Sequence, residues 1–262
     1  MSHTLNLFKL NGWCIIKDII PTTQIDTIRN SVLKTVHEYK RNNIADNIGF
    51  VPGLIAHNQS FAPYLAEPRL MALCNDVLGH DLRISFTSAI INEPNNKRGH
   101  WHADWPFNQN NAGHIPAPYP DTPFHITTLW MLSPFSEKNG GTLIVPGSHK
   151  SNNNPTGNNG IDPHTHIPGE MNVTGPAGSV LVMDSRLWHA TAPNTTPEPR
   201  VALAIRYAPW WLNLDILMPE SNERNHMVHQ QNKKENEVPH VPQTIYNQLP
   251  EAVKPLYRHW VK

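Results

Sequence analysis

Arg200-Val201-Ala202-Leu203-Ala204-Ile205-Arg206-Tyr207 alternates between two kinds of side chain. On an extended chain, Val201, Leu203, Ile205 and Tyr207 share one packed apolar face, whereas Arg200, Ala202, Ala204 and Arg206 share the other. Two small residues between two cations leave room beside the strand, so this second face is expected to look into a hollow barrel. Upstream, short β-rich runs at Leu82–Ile91, Ile126–Leu132, Thr142–Val145 and Ser179–Met183 are separated by Pro, Gly and Asn clusters. Many short strands with that punctuation predict a mainly β fold, a double-stranded β-helix of jelly-roll, cupin-like form with its core at about 80–210.

Two helices precede the strands. Ile25, Ile28, Val32, Leu33 and Val36 follow Pro21-Thr22-Thr23 at helical spacing, which predicts an amphipathic helix with a threonine cap. Pro68 to Leu78 places Leu70, Leu73, Val77 and Leu78 on one side and ends at Gly79. These N-terminal helices are expected to pack on one sheet. At 262 residues, 1–262 is expected to be a single catalytic domain.

Lys plus Arg and Asp plus Glu are equal at 21 each and charged residues are 16% of the chain, so no global field favours nucleic acid or an anionic membrane. A small-molecule substrate is the expected partner, and the sequence leaves the oligomeric state open. Cys14 and Cys74 are too few and too far apart for a disulfide framework or a thiolate zinc site. With no apolar leader in Met1 to Trp13 and no run approaching the roughly 20 apolar residues of a membrane span, the expected location is the cytoplasm.

The chemistry gathers in Gly99-His100-Trp101-His102-Ala103-Asp104-Trp105. His102 and Asp104 stand two apart, so on an extended segment both project from one face and can bind one ion. With His189 arriving from a later strand they make up a 2-His-1-carboxylate set, which holds one face of Fe(II) and leaves the opposite face open to a cosubstrate and dioxygen. In a chain with 16 histidines the H-x-D pair alone is weak. Arg200 strengthens it. Opening the strand that follows His189, it is expected to lie near that histidine in an antiparallel ladder and to hold the distal carboxylate of 2-oxoglutarate by a charge-assisted pair.

The opening Phe8-Lys9-Leu10-Asn11-Gly12-Trp13, the segment His102-Ala103-Asp104, the block from Trp130-Met131-Leu132 through Asn139-Gly140-Gly141-Thr142, the phrase Val145-Pro146-Gly147-Ser148-His149, and His189 with Arg200 together resemble the phytanoyl-CoA dioxygenase-like family of Fe(II)/2-oxoglutarate oxygenases. The resemblance runs from about Leu5 to Trp210. It implies iron on His102, Asp104 and His189, 2-oxoglutarate on Arg200 with secondary contacts from Thr191 and Trp130, and hydroxylation of a substrate C–H with release of succinate and CO2. Where relatives often carry a lysine before a proline, this chain has Glu93 before Pro94. Asp104 occupies the position that a halide would need, which disfavours halogenation. A zinc hydrolase built on the same ligands, or a jelly-roll module binding metal without turnover, are the alternatives.

The remaining features read as structure or substrate wall. Trp105 to His125 carries five prolines and begins beside Asp104, so it is expected to form a semi-rigid wall around the metal, with Trp105 and Phe107 offering apolar contact to substrate. Arg206 is expected to pair with an internal acid such as Glu93 or Asp184, or to meet an anionic substrate. His100 reads as a neighbour of the site, while His114, His125, His149, His164 and His166 read as loop or turn histidines. Trp210-Trp211 reads as core packing. Asn222 to Val241, within a tail at 222–262, is expected to be partly mobile, and Thr244 to Val261 to dock as a last helix.

Overall fold

The computed structural model describes residues 3–40, 48–156, 161–212, 218, 220–235 and 238–262. Among the described residues, nine strands form two antiparallel sheets: β1 (Trp13–Ile16), β2 (Ile48–Pro52), β3 (Arg83–Asn92), β4 (Ile126–Met131), β5 (Thr142–Ile144), β6 (Met171–Val173), β7 (Val180–Asp184), β8 (His189–Thr191) and β9 (Arg200–Ala208). The major sheet has the order β1-β7-β4-β9-β3-β2 and the minor sheet the order β6-β5-β8. A single antiparallel bridge from His102 to His189 extends the minor sheet on the β8 side.

The alternation along β9 sorts the two cores. Ala202 and Ala204 join Phe86, Leu129, Met131, Leu181 and Met183 of the major sheet and Ile144 and Val173 of the minor sheet, filling the space between the sheets. Val201, Leu203, Ile205 and Tyr207 face the other way, with Trp130, Val180 and Val182, into a second core. That second core is built by helices: α1 (His3–Asn11) gives Leu5 and Phe8, α2 (Thr22–Tyr39) gives Ile25, Ile28, Val32 and Val36, and α3 (Pro68–Leu78) gives Leu70, Leu73 and Cys74. Burial of these side chains, at roughly 1.5–3 kcal/mol each, is the main force holding helices to sheet. The thiols of Cys14 and Cys74 are buried and unpaired with one another, and burial pushes Cys14 up to about 12.

Local chemistry explains the helix ends. α2 begins at Thr22, after Pro21, with no side-chain cap, so the expected threonine cap is absent. In α3 the Glu67 carboxylate caps the start, accepting from the backbone N–H groups of Arg69 and Leu70 at 2.9 and 3.0 Å. The C-terminal stretch docks as pieces rather than as one helix: α5 (Gln243–Gln248), α6 (Lys254–Tyr257) and a 3-10 turn at Arg258–Trp260. Pro250 forces the preceding Leu249 into an extended backbone and splits the run. Val253, Leu256, Tyr257 and Trp260 nevertheless reach the helix-side core. Within Asn222 to Val241, α4 (Asn222–Arg224) runs into a π-helical turn at Asn225–Gln230, and residues 236–237 lie outside the described ones. Trp210 and Trp211 are not core residues, being 65% and 50% exposed, because β9 ends at Ala208 before reaching them. No helix among the described residues is long and apolar enough to cross a membrane.

Candidate metal centre

After β3, Asn92 to Gly99 turns the chain back across the end of the minor sheet. The Gly99 N–H donates to the Thr191 carbonyl at 2.9 Å, and His102 and His189 exchange both backbone hydrogen bonds at 3.0 Å. This pairing sets the two imidazoles side by side, with ring centroids 4.2 Å apart. Two residues on, the Asp104 N–H donates to the Ser185 carbonyl at 2.8 Å, which ties the third candidate ligand to the loop joining β7 to β8. One donor atom from each of His102, Asp104 and His189 lies within 4.8 Å of the others, the only such group of three among the described residues.

Each ligand is oriented by its own neighbours. His102 Nδ1 lies 3.0 Å from the His100 carbonyl and His189 Nδ1 lies 2.9 Å from the Leu187 carbonyl. A carbonyl can only accept, so both Nδ1 atoms carry the proton and both Nε2 lone pairs are left for an ion. Burial, then the adjacent His189, hold His102 down to about 3, keeping it neutral as a ligand must be. Asp104 is gripped at both oxygens: Arg206 pairs with Oδ1, and the Thr127 hydroxyl donates to Oδ2 at 2.6 Å. Burial alone would raise its carboxyl, but the Arg206 guanidinium, the adjacent His189 and His102 rings and the Thr127 hydrogen bond outweigh it and hold Asp104 below the usual carboxylate range. Oδ2 faces His189 Nε2 at 3.7 Å. Two imidazoles and an ionised carboxylate converging on one point are a donor set suited to a divalent transition metal.

Arg200 lies at the far end of β9, 2% exposed. Its Nε donates to the Gly140 carbonyl at 3.0 Å and its guanidinium lies 4.7 Å from the centre of the Phe135 ring. No acidic partner meets it among the described residues, although burial has lowered it only to about 10 and it stays charged at neutral pH. Gly140 is needed here: its φ is +75°, and a Cβ would collide with Asn92 Nδ2 and the Ala192 carbonyl. Thr191 follows His189 by two residues in β8 and so shares its face. His189 and Arg200 do not share a ladder as expected, because β8 belongs to the minor sheet and β9 to the major one.

Several expected contacts fall elsewhere. Trp130 pairs with Leu203 and Val180 on the helix side of the major sheet, and its indole N–H donates to Thr128 Oγ1 at 2.9 Å. It is a core residue on the wrong face of β4 for a cosubstrate contact. Phe107 has no exposed surface and packs edge-on against Tyr119, with centroids 5.2 Å apart. Trp105, 7% exposed, joins the helix-side core and donates to the Gly113 carbonyl at 2.7 Å. Both hold the proline-rich segment together from within rather than lining an open wall. Arg206 takes neither expected acid: its partner is Asp104, its guanidinium lies 4.4 Å from the Phe86 ring centre, and Asp184 is held instead by Arg186 at 2.7 Å.

His125, expected to be a plain loop histidine, is fully buried with Nε2 2.7 Å from Ser85 Oγ and Nδ1 2.8 Å from Ser185 Oγ. Nothing in the sequence around it marks this role, since its two partners come from distant places, Ser85 within β3 and Ser185 just after β7.

A family model for phytanoyl-CoA dioxygenase (PhyH) matches residues 8–202. The ectoine dioxygenase of Nocardia farcinica is 23% identical over 230 residues, covering 76% of this chain and 74% of that protein. A protein of Stutzerimonas stutzeri named as a probable alpha-ketoglutarate-dependent hypophosphite dioxygenase is 30% identical over 157 residues, covering 53% of this chain and 50% of its own length. In structure, HygX from Streptomyces hygroscopicus, solved with nickel and 2-oxoglutarate, superposes with a TM-score of 0.63 at 20% identity over 80% of this chain and 88% of that one. The epimerase SnoN from nogalamycin biosynthesis gives 0.64 at 16% identity over 83% and 92%. At such identities the structural matches speak for the fold. The family match is broader in meaning: it runs from β1 to the start of β9 and includes His102, Asp104, His189 and Arg200, and the chain belongs to the phytanoyl-CoA dioxygenase family of Fe(II)/2-oxoglutarate-dependent oxygenases.

Proposed function

We propose that this chain hydroxylates an unactivated C–H bond of a small molecule, with His102 Nε2, Asp104 Oδ2 and His189 Nε2 holding Fe(II) and with Arg200 and Thr191 holding 2-oxoglutarate. The observation that carries this reading is the pairing of a three-donor cluster with a buried arginine that meets no acid among the described residues. A buried guanidinium without an anion is costly, and a dicarboxylate reaching from the metal toward β9 would supply one. When bound, iron and 2-oxoglutarate supply the oxidising chemistry, using dioxygen to turn C–H into C–OH with release of succinate and CO2.

The protein's part is positional. The Nδ1 protons of His102 and His189 point at backbone carbonyls, which holds the imidazoles from rotating and leaves each Nε2 turned to the site. Arg206 and Thr127 keep the carboxylate of Asp104 from swinging away. Ala202 and Ala204 on the inner face of β9 pack with Phe86, Leu129 and Met131, so the surroundings of the strand between its two arginines are apolar. Asp104 in place of a small residue supports hydroxylation over halogenation. Dioxygen and the cosubstrate are the small-molecule partners of this reading, and the identical counts of acidic and basic residues support no nucleic-acid or membrane partner.

The test is succinate formation from 2-oxoglutarate under air with ascorbate, screened against a metabolite library with Fe(II) or Zn(II). Succinate that requires Fe(II), with an equivalent of hydroxylated product, is the expected result, and both should vanish in folded Asp104→Ala. Zn(II)-supported hydrolysis with no succinate would overturn the reading.

A further inference from the structure

Behind Asp104 lies a line of buried polar side chains, of which only Thr127 has entered the site described so far. Thr127 Oγ1 is 2.6 Å from Asp104 Oδ2, Ser185 Oγ is 2.8 Å from Thr127 Oγ1, His125 Nδ1 is 2.8 Å from Ser185 Oγ, and Ser85 Oγ is 2.7 Å from His125 Nε2. All five residues are between 0% and 6% exposed. Ser85 is the extra residue of a β-bulge: β3 pairs Ile84 with Tyr207 and then Phe86 with Arg206, so Ser85 has no partner of its own. A bulge re-aims a side chain, and this one turns a hydroxyl onto the imidazole. Ser185 ties the line to the backbone as well, its N–H donating to the His125 carbonyl and its carbonyl accepting from Asp104.

Counting protons gives the line one direction. The Asp104 carboxylate can only accept, so the Thr127 proton is spent on Oδ2. The 2.8 Å contact between Ser185 and Thr127 then needs the Ser185 proton, and the contact between His125 and Ser185 needs the proton on Nδ1. Nε2 is left as the acceptor for the Ser85 hydroxyl. Burial, with Arg206 nearby, pushes His125 down to about 3, in keeping with a neutral ring that has one proton to place. The opposite order would leave two oxygens 2.8 Å apart with no proton between them. From these contacts we propose that Ser85, His125, Ser185 and Thr127 form a one-way hydrogen-bond chain whose task is to hold Asp104 Oδ2 at the metal, with His125 as its central positioning residue. The proposal rests on reading Asp104 as a ligand.

The test has two independent readouts on the full-length protein. In ¹⁵N-histidine-labelled, metal-free protein, His125 is expected to show the neutral Nδ1–H tautomer. In titrations with Co(II) followed by its d–d absorption, Thr127→Val should weaken binding by about 10-fold, Thr127→Ser should restore it, and Ser85→Ala, which touches no ligand, should still weaken it several-fold. A neutral Nε2–H tautomer for His125 would overturn the proposal. So would an unchanged Co(II) affinity in folded Ser85→Ala and Ser185→Ala. Failure of the wild-type chain to take up Co(II) at all would instead refute the ligand assignment, and the tautomer would still decide the direction of the chain.

Discussion

Arg200 and Arg206 stand on one face of β9 with the same charge, and their surroundings divide their roles. Arg206 is already committed to Asp104, whereas Arg200 has a backbone carbonyl and an aromatic face but no acid among the described residues. Arg200→Ala should therefore raise the apparent requirement for 2-oxoglutarate by about 30-fold or more, the equivalent of roughly 2 kcal/mol for a lost charge-assisted bond. Titration with 2-oxoglutarate checks this, and Co(II) affinity should stay within about 2-fold of wild type because all three ligands remain. Arg206→Ala is expected to do the reverse, weakening metal binding while leaving the cosubstrate requirement nearly unchanged. The alternation of β9 made the inward face legible from sequence, and the H-x-D spacing made two members of the three-donor cluster legible. The partner of Arg206 was not, because Glu93, Asp104 and Asp184 are equivalent to it until the register of β3, β4 and β7 is known. His125 was hidden for the same reason, since a bulge at Ser85 leaves no mark in composition or spacing.

At the level of elements, long strands with strong β-forming residues were readable to within a residue or two, as β3, β4, β7 and β9 illustrate. Of the three-residue strands, β5 was readable as Thr142–Val145, whereas β6 and β8 exist because a neighbour pairs with them and carried no run of their own. Trp130 shows how a one-residue change of face alters a reading, since strand side chains alternate and the indole points at the helices. Trp130→Ala is expected to cost about 3–5 kcal/mol in chemical unfolding, through the cavity it leaves, with an unaltered cosubstrate requirement in the folded protein. The segment from Trp105 to His125 is tied to the C-terminal region, where Ala112 N–H donates to the Lys234 carbonyl and Lys234 N–H to the Asn110 carbonyl, both at 2.8 Å. Deleting Asn108 to Ala112 removes both bonds. We expect the ratio of hydroxylated product to succinate to fall in that variant, and proteolysis around Lys233 and Lys234 to accelerate; a wild-type ratio would show that the segment takes no part in substrate placement.

For the whole molecule, two buried neutral histidines make the metal-free fold sensitive to acid. His102 and His125 are each held down to about 3 from 6.5, so between these limits the unfolded chain binds protons that the folded chain refuses. Stability must then rise with pH across that window and fall as pH drops from 6.5 toward 3, with a slope approaching about 1.4 kcal/mol per pH unit for each histidine. Thermal melts of metal-free protein between pH 8 and 4 should show a plateau above about 7 and a steady decline below it, a decline that His125→Gln makes shallower. The account as a whole rests on the metal and the cosubstrate lying between the two sheets, between the ligands and the buried end of β9. A crystal structure of the chain grown anaerobically with Fe(II) and 2-oxoglutarate tests this most directly. The predicted result is iron on His102 Nε2, Asp104 Oδ2 and His189 Nε2, with the distal carboxylate of 2-oxoglutarate on Arg200; iron bound elsewhere, or that carboxylate seated on Arg206 with Arg200 untouched, would contradict it.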